Sequence, residues 1–168
     1  MQNDSWRRTT RMITEFSGPV WRILFRSQSN TPLAPARAPE GRFHHSRQFA
    51  LYASLSVEGA GIAIRRYVSK NDPPRVIQQF QISKAQLLDI RGQASASVVW
   101  QQLRETGAHS PTWKYSDDAR ATGADGLLYS SRSRPELSHL VLFSAGPLLI
   151  KPASAAEAWF PERFSGSS

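Results

Sequence analysis

The sequence contains no cysteine, and this absence limits the chemistry that it can support. Without thiols the chain forms no disulfide, offers no thiolate to a metal ion and has no cysteine nucleophile. No apolar run approaches the roughly 20 residues that a membrane-spanning helix needs, so we expect no membrane association. The first residues, from Met1 onwards, also lack the apolar core of a secretion signal. Together these absences predict a soluble, cytoplasmic protein.

Several widespread catalytic and metal-binding motifs are also missing. The chain has no G-x-S-x-G, no phosphate loop ending in Gly-Lys-Ser/Thr and no H-E-x-x-H. Of the four histidines, His44 and His45 are adjacent, and neighbouring side chains point in different directions on a helix or a strand. Because that geometry is poor for a metal ion, we expect no metal site.

Lysine is scarce among the basic residues: 17 of the 21 are arginine, and the net charge is +8. A positive field favours anionic partners, and the planar guanidinium suits two-pronged contacts to phosphate or carboxylate. Genome base composition explains the same arginine bias equally well. The arginines form no run longer than two residues, so we expect no direct binding to nucleic acid.

The length of 168 residues and the 40% hydrophobic content predict one domain with a well-buried core. We expect residues 1–18 to be a flexible basic segment, residues 19–164 to form the domain, and residues 165–168 to be a disordered tail. Strand patterns outnumber helical ones, and the two kinds alternate irregularly. The prediction is therefore an α+β fold in which helices flank mixed β-sheets.

Alternating and β-branched stretches predict strands at residues 20–25, 49–56, 75–82, 86–90, 127–129, 139–143 and 147–150. Helical patterns predict helices at residues 58–68, 94–106 and 116–122. Ser56 and Ser116 are the expected N-caps of the first and third helices. The proline-containing stretch 27–40 and residues 109–114 are expected to be loops.

A few polar side chains could serve a ligand, and each also has an ordinary structural explanation. Arg42 follows Gly41, whose backbone freedom can bring the guanidinium close to a ligand, although a surface ion pair explains it equally well. Tyr52 on a predicted strand is either a core residue or a stacking surface for a planar ring. Ser130 and Ser131 follow a strand end, where hydroxyls bond either a ligand or the turn itself.

A series of short motifs resembles, in order, the RES-domain family. The motifs are Trp-Arg-Ile at 21–23, Gly-Arg-Phe at 41–43, Ala-Leu-Tyr-Ala-Ser at 50–54, Ala-Asp-Gly-Leu-Leu-Tyr-Ser-Ser-Arg at 124–132 and Leu-Val-Leu-Phe at 140–143. The family is named for its Arg, Glu and Ser. Its members are toxins of bacterial toxin–antitoxin pairs, and the antitoxins are helix-turn-helix proteins of the Xre type.

The resemblance implies a fold like that of ADP-ribosyltransferase toxins. It also implies breakdown of NAD⁺ at the nicotinamide–ribose bond, which depletes NAD⁺ and arrests growth. One branch of the family instead ADP-ribosylates a protein, so water, phosphate and a protein group all stay open as the acceptor. The implied partner is an Xre-type antitoxin, with a homodimer compatible with such a complex. A third interpretation, without catalysis, is a protein whose main role is to bind that antitoxin.

The resemblance also assigns roles to individual residues. The family's arginine corresponds to Arg42, which would hold the phosphates of NAD⁺ with a planar fork of donors. Its tyrosine corresponds to Tyr52, expected against the nicotinamide, and its serine to Ser131, expected to hydrogen-bond the nucleotide. Arg22 on the first strand is a weaker correspondence for NAD⁺ binding. By spacing from Tyr52, the family's glutamate falls at Ala63.

Alanine at position 63 is the main departure from the family pattern. The carboxylate would stabilise the oxocarbenium-like ribose that forms as nicotinamide leaves, or aim the attacking water or phosphate, and its loss typically costs on the order of 10²–10³ in rate. Glu58 lies about one and a half helical turns earlier and roughly on the opposite face, so it is a poor substitute. Either Ala63 is an engineered replacement, or this branch has lost or relocated its carboxylate. In both cases we expect an impaired enzyme.

Overall fold

The computed structural model describes residues 13–161, in which a mixed β-sheet carries the fold. Its strands are β1 (Ile13–Phe25), β2 (Leu51–Ser54), β3 (Arg75–Asp89), β4 (Gly126–Ser130), β5 (Ser138–Leu142), β6 (Ile150–Pro152) and β7 (Glu157–Trp159). The α-helices in this range are α1 (Val57–Ile64), α2 (Trp100–Glu105) and α3 (Thr112–Ala121). Short 3-10 turns span Arg26–Gln28, Arg65–Tyr67 and Ala94–Ala96. Within the same residues, no helix has the length and apolar character needed to cross a membrane.

The strands follow the order β1-β2-β5-β4-β3-β6, and β7 pairs with β3 beside that path. An additional pairing joins β1 to β3, so the series β1–β2–β5–β4–β3–β1 closes into a ring. β1 and β3 pair over most of their length, from Ile13 opposite Leu88 to Phe25 opposite Arg75. β3 and β4 are parallel and the other pairs antiparallel. This mixed sheet with its helices confirms the predicted α+β fold class.

The alternation of side chains along the strands divides the core into two apolar clusters. In β5, Leu140 and Leu142 belong to one cluster, whereas Val141 between them belongs to the other. The second cluster also contains Phe43, from the turn before β2, and Ala119 of α3. This face of the sheet therefore supports the turn that carries Arg42.

The N-terminal segment differs from the prediction. Residues 13–18 are not a flexible segment, because they form the first part of β1 and pair with β3. The Gly18-Pro19 pair indicated a break, but the chain contains a register irregularity between Phe16 and Gly18 and the ladder continues beyond it. The rest of the predicted termini, residues 1–12 and 165–168, lies outside the described residues.

The strands predicted at 75–82 and 86–90 are one strand, β3. No break occurs at Ser83 and Lys84, which lie between the two predicted segments. Lys84 adopts a φ of +49° inside the strand, and its N–H donates to Ser17 Oγ at 2.8 Å. This irregularity lies opposite the one in β1, so both strands bend together and keep their pairing on each side.

The start of the first predicted helix is confirmed, although the helix is shorter than expected. Ser56 caps α1, and its Oγ accepts the N–H of Gly59 at 2.9 Å. The α-helix ends at Ile64 and continues as a 3-10 turn. The helix predicted at 94–106 is a 3-10 turn followed separately by α2, and the strand predicted at 147–150 begins only at Ile150.

The prediction for α3 was wrong at its start. The helix begins at Thr112 after Pro111, inside the stretch expected to be a loop. Ser116 does not cap it, because Ser116 lies within the helix and donates its buried hydroxyl to the carbonyl oxygen of Trp113 at 3.1 Å. A serine that bonds the preceding turn in this way is compatible with a helix interior.

Replacing Gly126 by alanine should destabilise the fold. A Cβ at this position would overlap the backbone carbonyl of Val141 on β5, and a backbone atom cannot move aside cheaply. We expect Gly126→Ala to lower the free energy of unfolding by about 2 kcal/mol or more, measured by urea denaturation. Gly146→Ala is the control, because a Cβ there meets no atom within 4 Å. Equal midpoints for the two variants would contradict this prediction.

Candidate functional site

A cavity of about 540 Å³ opens beside the turn that precedes β2. Its walls are that turn, the C-terminal half of α1 with the 3-10 turn after it, the segment 98–101 and the loop after β4. The volume lies within the ~300–1,000 Å³ typical of small-molecule sites. Four of the residues singled out by the resemblance line this cavity: Arg42, Tyr52, Ala63 and Ser131.

Arg42 places a guanidinium in the cavity wall without an acidic partner. Its Nε donates to the carbonyl of Ala96 at 3.1 Å, its Nη2 donates to the same oxygen, and its Nη1 donates to the carbonyl of Ser130 at 3.4 Å. Its Cζ lies 4.8 Å from the centre of the Tyr129 ring. Burial lowers the pKa of Arg42, and among residues 13–161 no carboxylate forms an ion pair with it. Three of its five N–H groups are used, so two remain for an anionic ligand.

Tyr52 lines the cavity, and its hydroxyl is engaged in the turn. The Tyr52 oxygen accepts the N–H of Phe43 at 2.9 Å and lies 2.8 Å from His44 Nδ1. His44 Nε2 lies 2.9 Å from the carbonyl of Ala38, which can only accept, so Nε2 carries the proton. Burial lowers the pKa of His44, so the ring is neutral and its Nδ1 accepts a hydrogen bond from the Tyr52 hydroxyl. Burial also raises the pKa of Tyr52, which keeps this donor protonated.

The turn between Gly41 and His44 is held from outside by α3. Trp113 Nε1 donates to the carbonyl of Gly41 at 2.8 Å, and the Thr112 hydroxyl donates to the carbonyl of Arg42. Gly41 leaves room for the His44 ring, which a Cβ at this position would overlap. The glycine before Arg42 is therefore required by a close approach of side chains within the turn.

The two adjacent histidines have separate partners. Whereas His44 is buried within the turn, His45 Nε2 lies 2.9 Å from the carboxylate of Asp117 on α3. Across residues 13–161, no group of three or more His, Asp or Glu side chains is arranged to hold a metal ion.

Ser131 directly follows β4, and its buried side chain lines the cavity. Its Oγ accepts the N–H of Arg134 at 3.2 Å, and its own N–H donates to the carbonyl of Leu137 at 2.9 Å. The hydroxyl proton remains available to a ligand. Ser130 has a different role, since its carbonyl binds Arg42 and its Oγ accepts the N–H of Gly92 at 3.1 Å.

Position 63 and Glu58 lie on different sides of α1. Ala63 is exposed at the cavity, whereas Glu58 is not among the residues that line it. The Glu58 carboxylate forms an ion pair with Arg134 at 3.1 Å, and 56% of its side chain is exposed. Glu58 therefore contributes no charge to the cavity wall.

Arg22 does not line the cavity, unlike the other residues that the resemblance suggested. It lies on β1, where its Nε donates to the carbonyl of Tyr52 at 2.9 Å and its Nη1 donates to the carbonyl of Pro32. Burial lowers the pKa of Arg22 to about 10. Arg22 thus supports the backbone of β2 behind Tyr52 and makes no contact that would reach a ligand.

Two further side chains in the cavity wall were missed from the sequence. Glu40 lies just before the Gly-Arg-Phe motif, and Arg104 Nε donates to its Oε1 at 2.9 Å. His139 on β5 is buried, and its Nδ1 lies 2.7 Å from Ser54 Oγ. Burial, together with the charge of Arg42, lowers the pKa of His139 to about 4. The strand alternation was the available signal, because it places His139 on the same face as Val141.

His139 should make the fold sensitive to acid. Its pKa is about 4 when folded and ordinarily 6.5, so between these values the unfolded chain binds the extra proton. Stability therefore falls as the pH drops from about 6.5 to about 4, by on the order of 3 kcal/mol in full. His139→Asn should flatten this part of the profile of unfolding free energy against pH. His109→Asn is the control, and an unchanged slope in His139→Asn would contradict the prediction.

Comparison with known proteins agrees with this architecture. The model of the family described as "RES domain" matches residues 19–161. Among solved structures, the M. tuberculosis MbcT–MbcA toxin–antitoxin complex contains a chain similar in fold, at 12% identity and a TM-score of 0.61, covering 95% of this chain and 93% of that one. No curated protein matches. Because the family model extends over most of the sequence, from the bulged β1 to the end of the described residues, this chain belongs to the RES-domain family.

Proposed function

We propose that this chain is a RES-type toxin that binds NAD⁺ and cleaves its nicotinamide–ribose bond, depleting NAD⁺ in the cytoplasm and arresting growth. The observation that carries the proposal is the convergence of Arg42, Tyr52, Ser131 and position 63 on one cavity. Those residues are dispersed over about ninety positions of the sequence, from the turn before β2 to the end of β4. Membership of a family that includes toxins supports the same assignment.

Each group suits one part of NAD⁺ in this proposal. The two unused N–H groups of Arg42 bind the diphosphate, whose negative charge supplies the acidic partner that the guanidinium lacks among the described residues. The Tyr52 ring packs against the nicotinamide, since its hydroxyl is engaged in the turn and its face is what remains. The Ser131 hydroxyl donates to the nucleotide.

The reaction breaks the bond between ribose C1′ and the nicotinamide nitrogen. The bonding electrons leave with nicotinamide, which becomes neutral, and the ribose acquires oxocarbenium character before water or phosphate adds. Alanine at position 63 provides no carboxylate to stabilise that charge. The rate is consequently lower than a glutamate at this position would support.

The partner that we propose is an Xre-type antitoxin. The structurally similar chain comes from a toxin–antitoxin complex, and the net charge of +8 favours a partner that presents acidic residues. A homodimer within that complex is compatible with this arrangement. Nucleic acid binding is assigned to the antitoxin and not to this chain.

Restoring the carboxylate should increase NAD⁺ cleavage. We expect Ala63→Glu to release nicotinamide on the order of 10²–10³ times faster than the present sequence, measured by chromatography of the products. Val57→Glu is the matched control, because it adds a carboxylate to α1 outside the cavity wall. If Ala63→Glu binds NAD⁺ without releasing nicotinamide, glycosidic cleavage is wrong. ADP-ribosylated proteins, detected by mass spectrometry in a lysate incubated with Ala63→Glu, would instead indicate transfer to a protein.

Arg42 should be needed for binding of the substrate. Replacing it with glutamine removes charge-assisted hydrogen bonds to the diphosphate, so we expect Arg42→Gln to weaken NAD⁺ binding about 10- to 100-fold. Isothermal titration calorimetry measures this effect. Arg91→Gln is the control, since Arg91 forms an ion pair with Asp89 and does not line the cavity. Unchanged affinity in Arg42→Gln would remove the diphosphate from this part of the site.

A further inference from the structure

Ser54 and His139 form a buried polar pair in the sheet behind the cavity. They lie directly opposite each other on the antiparallel strands β2 and β5. Only 2% of Ser54 and 4% of His139 is exposed, and the Ser54 Oγ–His139 Nδ1 distance is 2.7 Å. A pair so enclosed holds the imidazole in one orientation, which is the property required of a positioned proton acceptor.

The other ring nitrogen of His139 is unengaged among the described residues. His139 lines the cavity, and within residues 13–161 its Nε2 has no hydrogen-bond partner. Nε2 is also not among the buried polar atoms that are sealed from solvent without a partner. It is therefore the ring atom that a small ligand in the cavity can reach.

The surroundings of His139 keep its imidazole neutral. Burial and the nearby charge of Arg42 both disfavour the protonated ring, whose pKa is lowered to about 4. Tyr129 on β4 packs against it with ring centres 5.5 Å apart, and Gly59 lets α1 approach its Cε1. The other arginines that line the cavity are Arg66 and Arg132. In the tautomer whose Nδ1–H donates to Ser54 Oγ, which is the one the proposal below requires, the neutral ring presents a lone pair at Nε2.

We propose that His139 is the catalytic base that activates the attacking water, with Ser54 as its positioning residue. This inference rests on the function proposed above. As the C1′–nitrogen bond breaks and its electron pair leaves with nicotinamide, the water oxygen bonds to C1′. His139 Nε2 takes one water proton and later releases it to solvent. The products are nicotinamide, ADP-ribose and one proton, and nothing is oxidised or reduced.

A weak base is sufficient for this step. The ribose carries positive character before the water bond is complete, so the water becomes acidic late in the reaction. An imidazole that stays neutral is then always in the form that accepts the proton. His139 thereby supplies the water activation that a glutamate at position 63 would otherwise provide, while the stabilisation of ribose charge remains absent.

Glu40 is the competing candidate, because it is the carboxylate among the described cavity-lining residues. Both of its oxygens receive hydrogen bonds from Arg104, at 2.9 and 3.5 Å. Arg104 in turn lies 5.0 Å above the Trp113 ring. Glu40 is thus neutralised by a fixed guanidinium, whereas His139 Nε2 has no such partner among the described residues.

The decisive experiment measures nicotinamide release by the present sequence and by His139→Asn. Asparagine keeps a polar atom near Ser54 and deletes Nε2. We expect kcat to fall about 10²- to 10⁴-fold, while NAD⁺ affinity measured by calorimetry stays unchanged. His109→Asn should keep the rate of the present sequence, and Glu40→Gln should not abolish release. His139→Gln, which restores a polar atom near the Nε2 position but no base, serves if the asparagine variant does not fold.

Measuring His139→Asn in the Ala63→Glu protein as well distinguishes a base from a residue with a merely structural role. In the Ala63→Glu protein, the new carboxylate can activate water. We therefore expect the factor by which His139→Asn lowers kcat to be less than about one tenth of the factor in the present sequence. If His139 only packs the site, His139→Asn lowers kcat by the same factor in both proteins. An equal loss in the two backgrounds therefore overturns the proposal.

The remaining outcomes distinguish this inference from the proposed function. If the present sequence releases nicotinamide and His139→Asn does so equally fast, or if Glu40→Gln alone abolishes release, His139 is not the base and the proposed function stands. If the present sequence binds NAD⁺ and only Ala63→Glu cleaves it, His139 does not replace the carboxylate. If neither protein binds NAD⁺, the proposed function fails and this inference fails with it.

Discussion

The hydroxyl of Tyr52 joins the two parts of the chain that define the cavity. It accepts a hydrogen bond from the N–H of Phe43 and donates one to His44 Nδ1, so the turn with Arg42 is fixed to strand β2. Arg22 holds the carbonyl of the same tyrosine from behind. Because these groups are enclosed, each unmade bond would leave a polar atom without water, which typically costs about 1–3 kcal/mol. The orientation of the Tyr52 ring in the cavity wall is consequently set by these contacts.

The charge distribution of the cavity explains what it can accept. Arg42 is engaged with two backbone carbonyls that offset part of its desolvation but carry no full negative charge. Glu40, the acidic group on the wall among the described residues, is already paired with Arg104. The unmatched charge is therefore positive, which favours an anionic ligand. A cavity balanced in this way selects ligands by charge before shape.

The sequence predicted the class of fold and four residues that line the cavity, and its errors have physical causes. Alternation identified β2, β4 and β5, and the cap at Ser56 located α1, because these signals are local. The irregularities at Gly18 in β1 and at Lys84 in β3 depend on the pairing of the two strands with each other. The sequence of either strand alone therefore predicted that the strand ends there. Ser116 was misread for the same reason, since a serine near a helix start is identical in sequence whether it caps or is buried.

The candidate site residues also differ in whether a local sequence signal identifies them. Arg42, Tyr52 and Ser131 could be found because they belong to motifs with a recognisable order, and the structure brings them to one cavity. Arg22 belongs to such a motif too, but a guanidinium on β1 has backbone carbonyls within reach before it reaches the cavity. His139 has no motif, and its importance arises only from the register that places it opposite Ser54.

The central position of β3 has a consequence for synthesis of the protein. This strand pairs with β1, β4, β6 and β7, so elements from both ends of the described chain meet on it. A nascent polypeptide leaves the ribosome with Arg42 and Tyr52 long before β4 and β5 emerge with Ser131 and His139. Since β4 and β5 bridge β3 to β2, the ring of strands cannot close on partial chains. Translation that stops early therefore yields fragments without a complete cavity.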